Sequence, residues 1–175
     1  MKKHVLALIA AASLMFAACE SSEQKSAKSD SNEPIIAVDP SVTLDKTFEN
    51  ENFSVKFPAA LNLSDPSSFH ASDESGYVSF GGDFFSDGPT LDQLKFNSEG
   101  MAGALRAIGD TPEAPILKGK SYVIKSKTER GLIKWTYCVM KADKVGIAGS
   151  LEYPEDQAAE YEKYVGAVIN SIKFK

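Results

Sequence analysis

The run Leu132-Ile133-Lys134-Trp135-Thr136-Tyr137-Cys138-Val139-Met140-Lys141 constrains the fold more than any other stretch of the chain. In a strand, successive side chains point to opposite faces. Ile133, Trp135, Tyr137 and Val139 would line one face; Leu132, Lys134, Thr136, Cys138 and Met140 would line the other. Both faces are largely apolar. Such a strand holds its place only when layers cover it on both sides, so it belongs in the middle of a sheet.

The neighbouring segments supply the rest of that sheet. Phe53-Ser54-Val55-Lys56-Phe57 alternates cleanly and pairs as a hairpin with Ser41 to Phe48. Ser67 to His70 and Tyr77 to Phe80 read as strands around a polar turn, with Gly81-Gly82 ending or bulging the second and Asp83 to Gly88 as a loop. Strands are also expected around Tyr122-Val123-Ile124 and over Val145 to Tyr153. Two helices interrupt them. Thr90 and Gln93 have capping-box spacing, and Leu91, Leu94, Met101, Leu105 and Ile108 share a face with a gap at Ser98. Glu155 to Ile172 carries the stripe Ala158, Tyr161, Val165, Val168 and Ile172. Strands, a helix, three strands and a helix make an α+β fold, an antiparallel β-sheet flanked by helices.

The N-terminus says where the chain works. Lys2 and Lys3 precede an apolar run from Val5 to Phe16, then Ala17, Ala18 and Cys19. This is the order of a secretory signal peptide, and the run is too short to span a bilayer. The sequence Phe16-Ala17-Ala18-Cys19 resembles a bacterial lipoprotein signal. That resemblance implies cleavage before Cys19 and lipidation of its sulfur and new amine. The expected organisation is a signal at 1–18, lipidated Cys19 with a flexible tether over 19–40, and a single α+β domain over 41–175. The tether is rich in Ser, Lys, Glu and Asp and too poor in apolar surface to fold alone. As a coil it reaches roughly 25 Å. Ile35-Ile36-Ala37-Val38 is the one place where it could instead form a short strand.

Removing residues 1–18 takes away Lys2 and Lys3 and no acid, so 17 basic residues face 24 acidic ones and the mature charge is −7. Nucleic acid is excluded as a partner, since phosphate binding needs a cationic face. With Cys19 lipidated, Cys138 has no second thiol to pair with, and it is expected as a buried structural thiol. His70 is then the only histidine, which leaves no set of ligands for a zinc site. It is also the one candidate general base, but no G-x-S-x-G elbow marks a nucleophile, so an exposed and idle imidazole is expected. Asp83 and Asp87 flank Phe84-Phe85 in a segment that lacks the ligands of an EF-hand at Phe85 and Leu94; an incidental calcium site is the most it could form. Alternation buries one ring of the Phe84-Phe85 pair and leaves the other as a candidate anchor for a partner, unless the loop folds back over both. Lys118, Lys120, Lys125, Lys127, Arg130 and Lys134 form a basic region that is either a surface for acidic groups or a solvated edge.

A strand ending FSVKFP, a mid-chain helix, a meander with a Trp strand, then LEYP before a helix ending INSIKF resembles the PsbP/DcrB-like group over residues 44–175. The resemblance implies an α-β-α sandwich of the kind that docks on other proteins or membrane complexes, and it brings no catalytic residues. The expected function is therefore a lipid-anchored cell-envelope protein, on the outer membrane more than the inner. Its domain would be a non-catalytic binding or accessory module for an envelope complex, with no cofactor and no metal. An envelope hydrolase with a carboxylate and hydroxyl site and a purely structural lipoprotein are the alternatives. Close carboxylates with one raised pKa would mark the first. An exposed aromatic patch would mark the binding module.

Overall fold

A computed structural model describes residues 34–175. The signal, Cys19 and the tether up to residue 33 lie outside the described residues. The strands are β1 (Lys46–Glu49), β2 (Phe53–Phe57), β3 (Asn62–Leu63), β4 (Phe69–Ser72) and β5 (Ser79–Phe85). After helix α1 (Leu94–Ala107) come β6 (Thr111–Pro112), β7 (Ile116–Lys118), β8 (Ser121–Lys127), β9 (Leu132–Ala142) and β10 (Val145–Pro154). Helix α2 (Ala158–Asn170) and β11 (Lys173–Phe174) complete the chain. The large sheet has the order β3-β4-β5-β10-β9-β8-β6, with β7 also paired to β8; β1, β2 and β11 form a separate small sheet. All described pairings are antiparallel.

Strand β9 sits between β10 and β8 and is covered on both faces, as its two apolar sides require. Trp135, Tyr137, Leu151 and Phe80 pack with Val165 and Val168 of α2 and with Phe48, Phe53 and Val55 of the small sheet. On the other face, Cys138, Met140, Tyr122 and Ile124 pack with Leu94, Ala102 and Leu105 of α1. The result is an α-β-α arrangement with two cores. Trp135 Nε1 donates to Tyr153 Oη at 2.8 Å, so both polar atoms that these rings carry into the larger core are satisfied.

Strand β5 corrects the reading of the glycine pair. It runs through Gly81 and Gly82 to Phe85 without a break, because β4 and β10 pair with it on its two sides. Gly82, Gly149 and Tyr137 stand opposite one another on β5, β10 and β9. The Tyr137 ring lies across the glycine positions, and its hydroxyl donates to Gly81 O at 3.1 Å. A Cβ on Gly82 would stand 2.2 Å from Tyr137 Oη. The ring covers the backbone that the missing side chains would leave bare.

Three further expectations shift. Ala71 and Ser72, read as turn residues, belong to β4. On α1, Ser98 is fully buried and donates to Lys95 O at 2.7 Å, whereas Met101 and Ile108, expected in the core, are exposed. Residues 35–38 form no strand, yet Ile35 and Ile36 pack against the larger core, so the end of the expected tether is docked on the domain.

Candidate functional site

Helix α1 crosses only part of its face of the sheet. It begins after one 3-10 turn, Leu91–Gln93, where the Thr90 N–H donates to Gln93 Oε1 at 3.1 Å. Asp143 Oδ1 accepts from the Leu91 N–H at 2.8 Å. The first turns cover Cys138 and Met140; the last turns overhang strand positions that carry polar side chains. Register places His70, Gly81, Ser150 and Thr136 in one row across β4, β5, β10 and β9. The next row holds Ser72, Ser79, Glu152 and Lys134.

Between these rows and α1 lies a cleft of about 590 Å³. Met101, Ala104, Leu105 and Ile108 form its apolar wall; Ser79, Gly81, Thr136 and Ser150 form its floor. Lys134 lines one side and is paired with Glu152 at 2.9 Å. Thr136 is buried, and among the described residues its Oγ1 has no hydrogen-bond partner. At the inner end, Tyr122 Oη donates to Asn97 Oδ1 at 3.0 Å; burial, then the nearby Cys138, pushes this phenol up to about 12, so it stays a neutral donor.

His70 and Asp83 both line the cleft and are both exposed. They occupy diagonal positions on neighbouring strands, and among the described residues no hydroxyl hydrogen-bonds to the imidazole. Among the described residues Asp83 is the one carboxylate in the lining. Asp39, Asp65 and Asp73, all outside the cleft, have carboxyls held below the usual range. Side-chain hydrogen bonds from Ser41 and Ser67 hold down Asp39 and Asp65. At Asp73, burial opposes the shift and hydrogen bonds from Ser75 and the Val78 N–H outweigh it.

The other sequence candidates are dispersed. Phe84 and Phe85 belong to β5 and take opposite faces, Phe84 against the larger core and Phe85 against the smaller. Both rings are half-buried. Asp87 lies beyond the strand, 3.7 Å from Lys144, and among the described residues no group of three His, Cys, Asp or Glu is placed to hold a metal. Cys138 is buried with Sγ 3.8 Å from Met140 Sδ, and burial pushes its thiol up to about 11. The basic region does not form one patch. Lys125 pairs with Glu162 of α2 and sits over the Trp135 ring, Lys127 pairs with Glu155, and Lys134 faces the α1 side. Alternation within β8 and β9 separates charges that sequence proximity groups together.

Sequence periodicity missed the outer side of α1. Phe96, Gly100, Gly103 and Ala107 fall on one stripe at spacings of four, three and four, all exposed. Phe96 is 79% exposed. A Cβ added at Gly100 or Gly103 would meet nothing within 4 Å. Among the described residues no helix is long and apolar enough to cross a membrane.

No family model matches the chain. No curated protein matches it either. Among solved structures it is similar to the solution structure of cyanobacterial PsbP (CyanoP) from Synechocystis sp. PCC 6803. The identity is 9%, the TM-score is 0.51, and the match covers 82% of this chain and 100% of that one. Together with the two helices flanking an antiparallel sheet, this likeness assigns the chain a PsbP-like fold.

Proposed function

We propose that this chain is a lipid-anchored cell-envelope protein whose domain is a non-catalytic binding module for a protein of an envelope complex. The anchor rests on the signal pattern ending at Cys19, with the outer membrane as the proposed location. The observation that carries docking is the outer side of α1. Two glycines in a helix interior each cost up to about 1 kcal/mol relative to alanine. Nothing inside the domain requires them, since a Cβ at either would be unopposed. Beside them Phe96 holds a whole aromatic ring in solvent. Small residues that admit a close approach, next to a rigid aromatic anchor, suit a protein partner. The cleft's single carboxylate and unengaged imidazole offer hydrolysis much less.

The test is crosslinking in cells from a photoreactive residue at position 96, with position 74 as an exposed control on a loop. One abundant envelope protein captured from 96 and not from 74 is expected, and Cys19→Ala should abolish the capture. An intact, anchored domain that captures nothing from position 96 overturns the docking reading. Capture that survives Cys19→Ala overturns the requirement for the anchor.

A further inference from the structure

We infer that the cleft between α1 and the hydroxyl-bearing floor of the sheet binds a small amphipathic molecule without negative charge, with one apolar face and one hydrogen-bonding edge. This site is separate from the docking surface, which occupies the outer side of the same helix. The volume of about 590 Å³ lies within the range of small-molecule sites. The wall is apolar and uncovered: Ile108 is 66% exposed and Met101 36%. A bound apolar face would remove both from water.

The floor has the opposite chemistry. Ser79 and Ser150 present hydroxyls, and Thr136, only 9% exposed, keeps an Oγ1 with no partner in the domain. Gly81 keeps the floor open. A Cβ there would stand 3.0 Å from His70 Nδ1, so any side chain would enter the cleft against the imidazole. Lys134 is already held by Glu152 and Asp83 brings a carboxylate to the lining, so the charges of the cleft argue against an anionic ligand.

The test titrates the full chain carrying Cys19→Ala with neutral N-phenyl-1-naphthylamine and with its anionic relative 1-anilinonaphthalene-8-sulfonate. The backbone amide resonances of Gly81, Gly82 and Gly149 report the cleft. Saturable shifts with the neutral probe and at least tenfold weaker binding of the sulfonate are expected. Ala104→Trp, in the wall, should weaken the neutral probe at least tenfold, and Ala107→Trp, on the outer side, should leave it unchanged. If Ala104→Trp does not fold, Ser150→Leu takes its place with the same expected loss. Absence of shifts at the cleft glycines, equal affinity for the two probes, or equal effects of the two tryptophans would overturn the inference.

Discussion

Glycine at 149 and cysteine at 138 show how far single atoms decide this domain. A Cβ on Gly149 would stand 2.0 Å from Gly81 O and 2.5 Å from Gly82 Cα, both backbone atoms of a fully paired strand. Neither can move without breaking the β5–β10 ladder. Gly149→Ala should therefore lose about 3 kcal/mol or more by urea unfolding. An unchanged midpoint would contradict the packing described. Cys138 lies one strand away on the opposite face. Burial raises its thiol from an ordinary value of 9.0 to about 11. A raised folded-state pKa favours the protonated form, so its contribution to stability is complete below pH 9 and is lost as the pH rises towards 11. Iodoacetamide at pH 8 should label Cys138 only as fast as the domain unfolds. Cys138→Ala should reduce the loss of stability between pH 9 and 11, leaving the part that the buried tyrosines contribute.

At the scale of elements, α1 gives the sharpest contrast. Its buried side is already filled by Leu94, Ala102 and Leu105, while Gly100 and Gly103 face open space. Gly100→Ala and Gly103→Ala should each stabilise the domain, by roughly 0.5–1 kcal/mol, and thermal unfolding would read this directly. Destabilisation by either would show a packing role within the domain. The same helix shows what the sequence could and could not reveal. Its start was legible because capping chemistry is local to Thr90 and Gln93. Its faces were not. Periodicity ranks residues by hydrophobicity, but Ser98 can be buried once Lys95 O accepts its hydroxyl proton. Met101 and Ile108 are left over the cleft because α1 overhangs a polar part of the sheet. Strand β9 was legible to the residue at its start, since its two apolar faces admit one environment. Strand β5 was not, because Gly81-Gly82 reads as a break until β4, β10 and the Tyr137 ring supply the pairing and cover from afar. The cleft inherits that blindness: its floor comes from three strands whose register no local pattern encodes.

For the whole molecule, the decisive contact is where the chain enters the domain. Ile35 and Ile36 pack against the larger core, Asn170 Nδ2 donates to Ile36 O at 3.3 Å, and Lys118 Nζ donates to Pro34 O at 3.2 Å. Gly166, buried on α2, makes room for the segment: a Cβ there would stand 2.4 Å from Ala37 O. Residues 34–40 are therefore packed on the folded body, against α2. Gly166→Ala should lift the segment, because 34–40 forms no strand or helix of its own while α2 is fixed by Tyr161, Val165 and Val168 beneath it. Losing two half-buried isoleucines costs on the order of 2 kcal/mol. Limited proteolysis should then cut within 34–44 in the variant and not in the parent chain, with the β-sheet signal in circular dichroism retained. Cleavage spread over the whole domain would mean that the segment is integral to the core and cannot be released alone. Protection of 34–44 in the variant would mean that α2 yields instead of the segment.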